Sequence, residues 1–511
     1  MQRKKILIRC LVVRSTKTGT NETDGFCQAR RRPAAVWGIR QGDATTHGGK
    51  RRRFMSSVWW NGLLGLLAAM LPFQSMADVH EYQLANGMKV IVKEDHRAPV
   101  VVSQVWYRAG SMDEFNGTTG VAHVLEHMMF KGTSAVPAGE FSKRIAVAGG
   151  RENAFTSRDH TAYFEQLQKP KLALALKLEA DRMHNLVLSP KEFAKEIKVV
   201  MEERRMRTED NPQALVYENM MATTYKVHPY HHPIIGWMSD LETMTADDAR
   251  DWYRRWYAPN NAALVVVGDV KPEEVLKLAE RYFGKIRPAA LPPRKPQTEP
   301  DQRGIKRVAV KAPAKLPYLA MGYHTPTLRD PGKDGDPYAL EVLAGVLDGH
   351  ASARLNQALV REQQIAVSAG AGYDLISRGP SMFMLEGSPA EGKSVAELET
   401  ALREQIEKIK RDGVTEEELQ RVKAQVIAAQ VYQRDSMFYQ AMLIGEVETA
   451  GLPLNTLETR LEKLKAVTAR QVQEVAQKYL VDDHLTVAVL DPQPLDGAKP
   501  VKPAMGGRHA H

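Results

Sequence analysis

His123-Val124-Leu125-Glu126-His127, preceded by Gly120-Val121-Ala122 and continued by Met128-Met129-Phe130, is the stretch that decides how the chain reads. A glycine followed by an apolar run predicts a loop entering a buried helix. At about 3.6 residues per turn, positions i and i+4 share a face, so both imidazoles can reach one ion, with Glu126 at i+3 beside them. Neutral imidazole suits zinc, and a catalytic zinc site takes three protein ligands and keeps a fourth position for water. A neighbouring carboxylate can then take a proton from that water. The competing reading is a structural histidine pair, since with 15 histidines in 511 residues the bare spacing arises in roughly one such chain in thirty. Burial decides between them: His and Glu on an apolar helix are costly alone, and a metal satisfies them together.

A third ligand has to come from elsewhere. The helix-patterned segment Glu196-Ile197-Lys198-Val199-Val200-Met201-Glu202-Glu203-Arg204-Arg205 is the best source. Glu196 and Glu203 lie two turns apart and share a face, while Glu202 points about a quarter turn away. Spacing leaves Glu202 and Glu203 both open. Taken by itself the segment would read as a solvated charged face.

Around these residues stand Gly110-Ser111, Gly149-Gly150-Arg151-Glu152-Asn153-Ala154-Phe155-Thr156 with Asp159, Thr161 and Tyr163, and Trp256-Tyr257-Ala258-Pro259-Asn260-Asn261 leading into Val265-Val266-Val267-Gly268-Asp269. With H-x-x-E-H they make the chain resemble the pitrilysin/insulinase family of zinc peptidases, the inverted zincins. The likeness is strongest to the smaller branch that includes mitochondrial processing peptidase and bacterial paired-subunit relatives. It covers most of residues 80–285 and, more faintly, the rest. It implies that His123, His127 and Glu203, 76 residues beyond His127, hold one Zn2+ per chain and that Glu126 is the general base. Glu196 would stand behind the ligands and orient them. Asn153, Ala154, Phe155 and Thr156 resemble the edge strand onto which an extended peptide adds by backbone pairing.

An internal repeat bears on domain count. Met244 to Val267 aligns without gaps, at an offset of 223, with Val467 to Leu490, and both copies read as an amphipathic helix followed by a buried strand. Between the halves, Arg287 to Pro300 is rich in proline and reads as a semi-rigid linker. We expect an α+β fold of two homologous domains, each an antiparallel sheet packed with helices, arranged as a clamshell. Residues 78–286 form the zinc-bearing domain, 287–306 the linker, 307–492 a degenerate second domain and 493–511 a disordered tail.

The second domain has lost the metal motif: Leu340-Glu341-Val342-Leu343-Ala344-Gly345-Val346-Leu347 stands in its place, without histidine. By the resemblance, the second half of an active relative supplies an Arg and a Tyr that bind substrate near the metal. Arg361 matches the Arg. The Tyr falls on Val367 or Ser368, and Tyr373 lies too far along. A homologous second subunit carrying both residues is therefore the expected partner.

Residues 1–54 hold 14 Lys/Arg and 3 Asp/Glu, and residues 55–77 hold no charge. The whole chain is +9, so residues 78–511 carry −2. The basic balance belongs to the extension and gives no argument for nucleic-acid binding. The apolar run Val58 to Leu71 is short for a membrane span and is followed by Ser75-Met76-Ala77, which reads as a signal peptide cleaved after Ala77. Arg51-Arg52-Arg53-Phe54-Met55 resembles a twin-arginine signal, against the plainer reading of a basic n-region. Export to a bacterial periplasm is expected, with a mitochondrial matrix as the alternative, and no stable span in the mature protein. Cys10 and Cys27 are the two cysteines, so residues 78–511 can form no disulfide. His228, Tyr230, His231 and His232, flanked by Pro229 and Pro233, read as a turn. Met128-Met129 and Met220-Met221 read as core.

The expected activity is zinc-dependent hydrolysis of extended peptides, with Glu126 moving the proton of the zinc-bound water. A noncatalytic, chaperone-like subunit and a mitochondrial presequence-processing subunit are the alternatives.

Overall fold

The computed structural model describes residues 79–495. The basic extension, the apolar run, the expected cleavage site, both cysteines and residues 496–511 of the expected tail fall outside them. In chain order the first half holds β1 (Val79–Gln83), β2 (Lys89–Glu94), β3 (Val100–Tyr107), α1 (Val121–Met128), α2 (Glu140–Val147), β4 (Arg151–Thr156), β5 (Thr161–Gln168), α3 (Leu172–Asn185), α4 (Pro190–Arg204), α5 (Pro212–Thr224), α6 (Met238–Thr243), α7 (Ala246–Trp256), β6 (Ala262–Gly268) and α8 (Pro272–Tyr282). The second holds β7 (Lys306–Pro313), β8 (Tyr318–Thr325), α9 (Asp336–Asp348), β9 (Ala366–Tyr373), β10 (Ser381–Pro389), α10 (Val395–Asp412), α11 (Glu416–Gln433), α12 (Met437–Ala450), α13 (Thr456–Ala466), α14 (Ala469–Tyr479) and β11 (Leu485–Gln493). Residues 287–305 between them carry neither helix nor strand. No helix among the described residues is long and apolar enough to cross a membrane.

The strand orders are β1-β2-β6-β3-β5-β4 and β7-β11-β8-β10-β9. Apart from β1, they are one topology used twice. α1 corresponds to α9, α4 to α11, α5 to α12 and α7 to α14. The repeat seen in sequence is thus the last helix and strand of a larger unit. Each sheet is antiparallel except for one pair, β2 with β6 and β7 with β11, which are parallel. The two expected antiparallel sheets each carry this one parallel pair, because the closing strand of each half returns after the helices and enters beside the first.

Both central strands are buried on two faces, which explains their continuous apolar runs. In β6, Leu264 and Val266 join the helical core of the first half. Val265 and Val267 point the other way and cluster with Ala441, Met442 and Ile444 of α12, from the second half. The converse holds in β11, where Ala488 and Leu490 cluster with Val216, Met220 and Met221 of α5. Each half thereby lays one helix on the other's sheet. The contact is close: a Cβ on Gly445 of α12 would fall inside the Trp106 indole.

A polar junction adds to this exchange. Arg378, in the β9–β10 loop, donates to both Asp113 carboxylate oxygens at 2.7 and 3.0 Å and to the Asp159 carbonyl at 2.7 Å. Tyr230 donates to Asp159 Oδ1 at 2.5 Å and accepts from Gly379 N at 2.8 Å. The histidines around Tyr230 form the expected turn: His228 Nδ1 accepts from Tyr230 N, and His232 Nε2 meets Asn116 Oδ1 at 3.1 Å.

Candidate metal centre

α1 is buried along its whole length. Gly120, with φ of 87°, starts it in a conformation that favours glycine, and a Cβ there would strike the Ile235 carbonyl. The first turn is capped from outside: the buried Glu114 carboxylate accepts from Gly120 N at 2.8 Å and Ala122 N at 2.9 Å. Burial raises the Glu114 carboxyl to about 8, against those two hydrogen bonds. α4 packs across α1 and presents Glu196 and Glu203 from one buried face.

The helices bring His123, His127 and Glu203 together, with one ligand atom from each lying within 4.8 Å of the others. His127 Nε2 is 3.3 Å from Glu203 Oε2, and His123 Nε2 is 4.0 Å from Glu203 Oε1. Glu202 turns outward to Arg205. Of the two glutamates that spacing leaves open, Glu203 is the one that lies in the cluster. Burial, helped by His127, pulls the His123 imidazole down to about 3, so it stays neutral. Burial acts the same way on His127, but the hydrogen bond to Glu196 and the Glu203 carboxylate beside it outweigh it and raise it to about 9.

His127 Nδ1 lies 3.0 Å from Glu196 Oε1 and so donates its proton there. Its buried Nε2 closes no hydrogen bond of ordinary geometry. In the neutral ring, that lone pair would face the Glu203 carboxylate, an arrangement only a proton or a cation reconciles. Two imidazole nitrogens and one carboxylate also form a donor set that zinc accepts. The residues therefore fit a first-row dication.

Glu126, fully buried beside the histidines, accepts a 2.5 Å hydrogen bond from Thr156 Oγ1 at the end of β4. β4 is an edge strand, with β5 as its one strand neighbour among the described residues. Ala154 N donates to Asn153 Oδ1 at 2.9 Å instead of to a neighbouring strand. The Phe155 ring is buried edge-on to Trp106, 5.3 Å between centroids.

Arg361 is not brought to this cluster. It is exposed, in a π-helical turn over Asn356–Glu362, and its side chain makes no hydrogen bond or ion pair among the described residues. Val367 is 56% exposed on the edge strand β9, at a register shift where Ser368 pairs with Ser388 and Ala366 with Pro389. Tyr373 is engaged elsewhere, donating to the Pro326 carbonyl at 2.6 Å. Two cations went unnoticed in the sequence. Lys131 Nζ lies 2.5 Å from Glu196 Oε2 and Arg207 Nη1 lies 2.8 Å from Glu203 Oε1. Arg207 follows Glu203 by four positions, the spacing that would have revealed it, whereas Lys131 and Glu196 meet only because the two helices pack together.

An α+β repeat with a buried His-His-Glu group on crossing helices defines a class, the two-domain metallopeptidases of inverted-motif type. Comparison with known proteins agrees. Residues 89–237 match the family model described as Insulinase (Peptidase family M16), and residues 243–426 match the one described as Peptidase M16 inactive domain. The chain is 32% identical over 450 residues to the zinc protease PqqE of Helicobacter pylori, covering 87% of this chain and 99% of that protein. It is 27% identical to the uncharacterised zinc protease YmxG of Bacillus subtilis, covering 81% and 98%. A solved protease from Helicobacter pylori superposes with a TM-score of 0.78 at 30% identity, covering 81% of this chain and all of that one. The periplasmic protease PqqL of Escherichia coli shares the fold, with a TM-score of 0.70 at 19% identity over 82% of this chain and 48% of its own. The chain belongs to peptidase family M16.

Proposed function

We propose that this chain is a zinc-dependent endopeptidase acting on extended peptides. The observation that carries the reading is the buried His127 Nε2, held by Glu196 from behind and aimed at Glu203 beside a neutral His123. His123, His127 and Glu203 would hold the ion. Zinc, when bound, supplies a Lewis acid that polarises a scissile carbonyl and makes water more acidic. Glu126 takes the proton of the attacking water and passes it to the leaving amine. Thr156 fixes the other side of that carboxylate, and the free edge of β4 aligns the peptide backbone alongside. The metal group lies wholly within the stretch matched by the insulinase model and outside the one described as inactive, which favours turnover over a purely structural subunit.

Arg361 and Val367 support a second element of the reading. Neither reaches the metal group, so a homologous subunit bearing Arg and Tyr would supply the substrate contacts this chain lacks. Export to the periplasm is part of the proposal, on the strength of Val58–Leu71 and Ser75-Met76-Ala77; an N-terminus of the native protein well upstream of Val58 would refute it. The central test is zinc content together with hydrolysis of unstructured peptides. Wild type should hold about one zinc per chain. Glu126→Gln should keep the zinc and lose at least about a hundredfold in rate, while His123→Ala with His127→Ala should lose both. A double variant that retained stoichiometric zinc would remove the basis of the reading.

A further inference from the structure

We propose that Lys131 is a positioning residue that acts through Glu196 to weaken and orient the hold of this centre on its metal. The inference rests on the zinc reading above. Glu196 is buried and has two partners, one on each oxygen: His127 Nδ1 at 3.0 Å on Oε1 and Lys131 Nζ at 2.5 Å on Oε2. Lys131 follows His127 by four residues just past the end of α1, so both reach back to α4 from one side. Its side chain is 23% exposed and that of Glu196 only 8%, so the pair sits where water screens it poorly.

The arrangement sets charge as well as direction. Three carboxylates, Glu126, Glu196 and Glu203, surround the two histidines, and two fixed cations, Lys131 and Arg207, stand against them. Arg207 is 40% exposed and screened, which leaves Lys131 as the stronger counterweight. A carboxylate behind a ligating imidazole strengthens that ligand. A lysine on the same carboxylate takes part of its negative field away. Surplus negative charge around a dication tightens binding and blunts its pull on a carbonyl oxygen. Lys131 therefore trades affinity for reactivity, and also holds the plane of Glu196 so that Oε1 stays on Nδ1.

The sign of the effect separates this from a merely structural role. The full chain is titrated with zinc against a chromophoric chelator, and peptide hydrolysis is measured at saturating zinc. Lys131→Met should bind zinc about tenfold more tightly while kcat falls, and Lys131→Arg should behave as wild type. Glu196→Gln should bind about tenfold more weakly, and adding Lys131→Met to it should change nothing more. Lys131→Gln gives the same sign as Lys131→Met should the latter fold poorly, with melting of the zinc-free proteins as control. Unchanged or weaker zinc binding in the Lys131 variants, or an effect that persists without the Glu196 carboxylate, overturns the inference and leaves the zinc reading standing. Failure of the wild type itself to take up zinc overturns both.

Discussion

Thr156 Oγ1 donates a 2.5 Å hydrogen bond to Glu126 Oε2, so the last residue of an edge strand holds the buried carboxylate of the metal-centre helix. A hydrogen bond to a charged group contributes about 1.5–3 kcal/mol. Thr156→Val removes the donor at nearly constant shape. Its kcat/KM for an unstructured peptide should fall about tenfold or more, with zinc content unchanged, and Thr156→Ser should restore most of the rate. Equal rates for the valine variant and wild type would mean that Glu126 is positioned without Thr156.

The two neighbouring glutamates give a sharper contrast. Glu203 is buried against both histidines, and Glu202 is exposed and paired with Arg205. Glu203→Gln should release zinc during dialysis, and Glu202→Gln should retain it with unaltered hydrolysis, since exposed pairs contribute about 0–1 kcal/mol. Metal analysis after dialysis decides it; zinc lost from the Glu202 variant and kept by the Glu203 variant would reverse the ligand assignment.

Much of this centre was legible because helical spacing is local information. H-x-x-E-H fixes one face of α1, and Glu196 with Glu203 fixes one face of α4. The partner of an apolar helix is not local information. Met437–Ala450 is rich in apolar residues on all sides, which announces burial but not that the helix lies on the sheet of the other half. The Arg207 contact with Glu203 was readable by the same i+4 rule, whereas the Lys131 contact with Glu196 exists only because α4 crosses α1.

Asp113 and Arg378 join the halves with both side chains almost completely buried. Burial raises the Asp113 carboxyl, but Arg378 and Arg294 outweigh it and hold it below its ordinary 3.8. Because the folded value lies below the unfolded one, the pair stabilises above about pH 4 and loses that contribution as pH falls through the folded value. Arg378→Met leaves a buried carboxylate with Arg294 as its remaining ion-pair partner. The cost should be about 3 kcal/mol at pH 7, a melting temperature lower by about 5 °C. The gap between variant and wild type should narrow at pH 3. A gap of the same size at both pH values would show that Asp113 does not titrate with folding.

The missing tyrosine leads to the last expectation. In β9 the register shift leaves Val367 without a cross-strand partner and 56% exposed, and Arg361 is exposed nearby in sequence. The only tyrosine of the strand is committed to the Pro326 carbonyl. A transition-state oxyanion gains from donors already in place, and loss of one costs about 3 kcal/mol, or roughly a hundredfold in rate. The isolated chain should therefore hydrolyse peptides slowly. A homologous subunit that carries Arg and Tyr at the matching places should raise kcat by about a hundredfold, without changing the zinc content of this chain. Val367→Tyr provides an internal control: its site is solvent-facing, so stability should change by no more than the about 0.5 kcal/mol typical of surface changes. Hydrolysis by the purified chain, alone and with the partner, is the measurement. Full activity from the isolated chain, unchanged by any partner, would show that a donor already within these two halves serves the oxyanion and that no second subunit is needed.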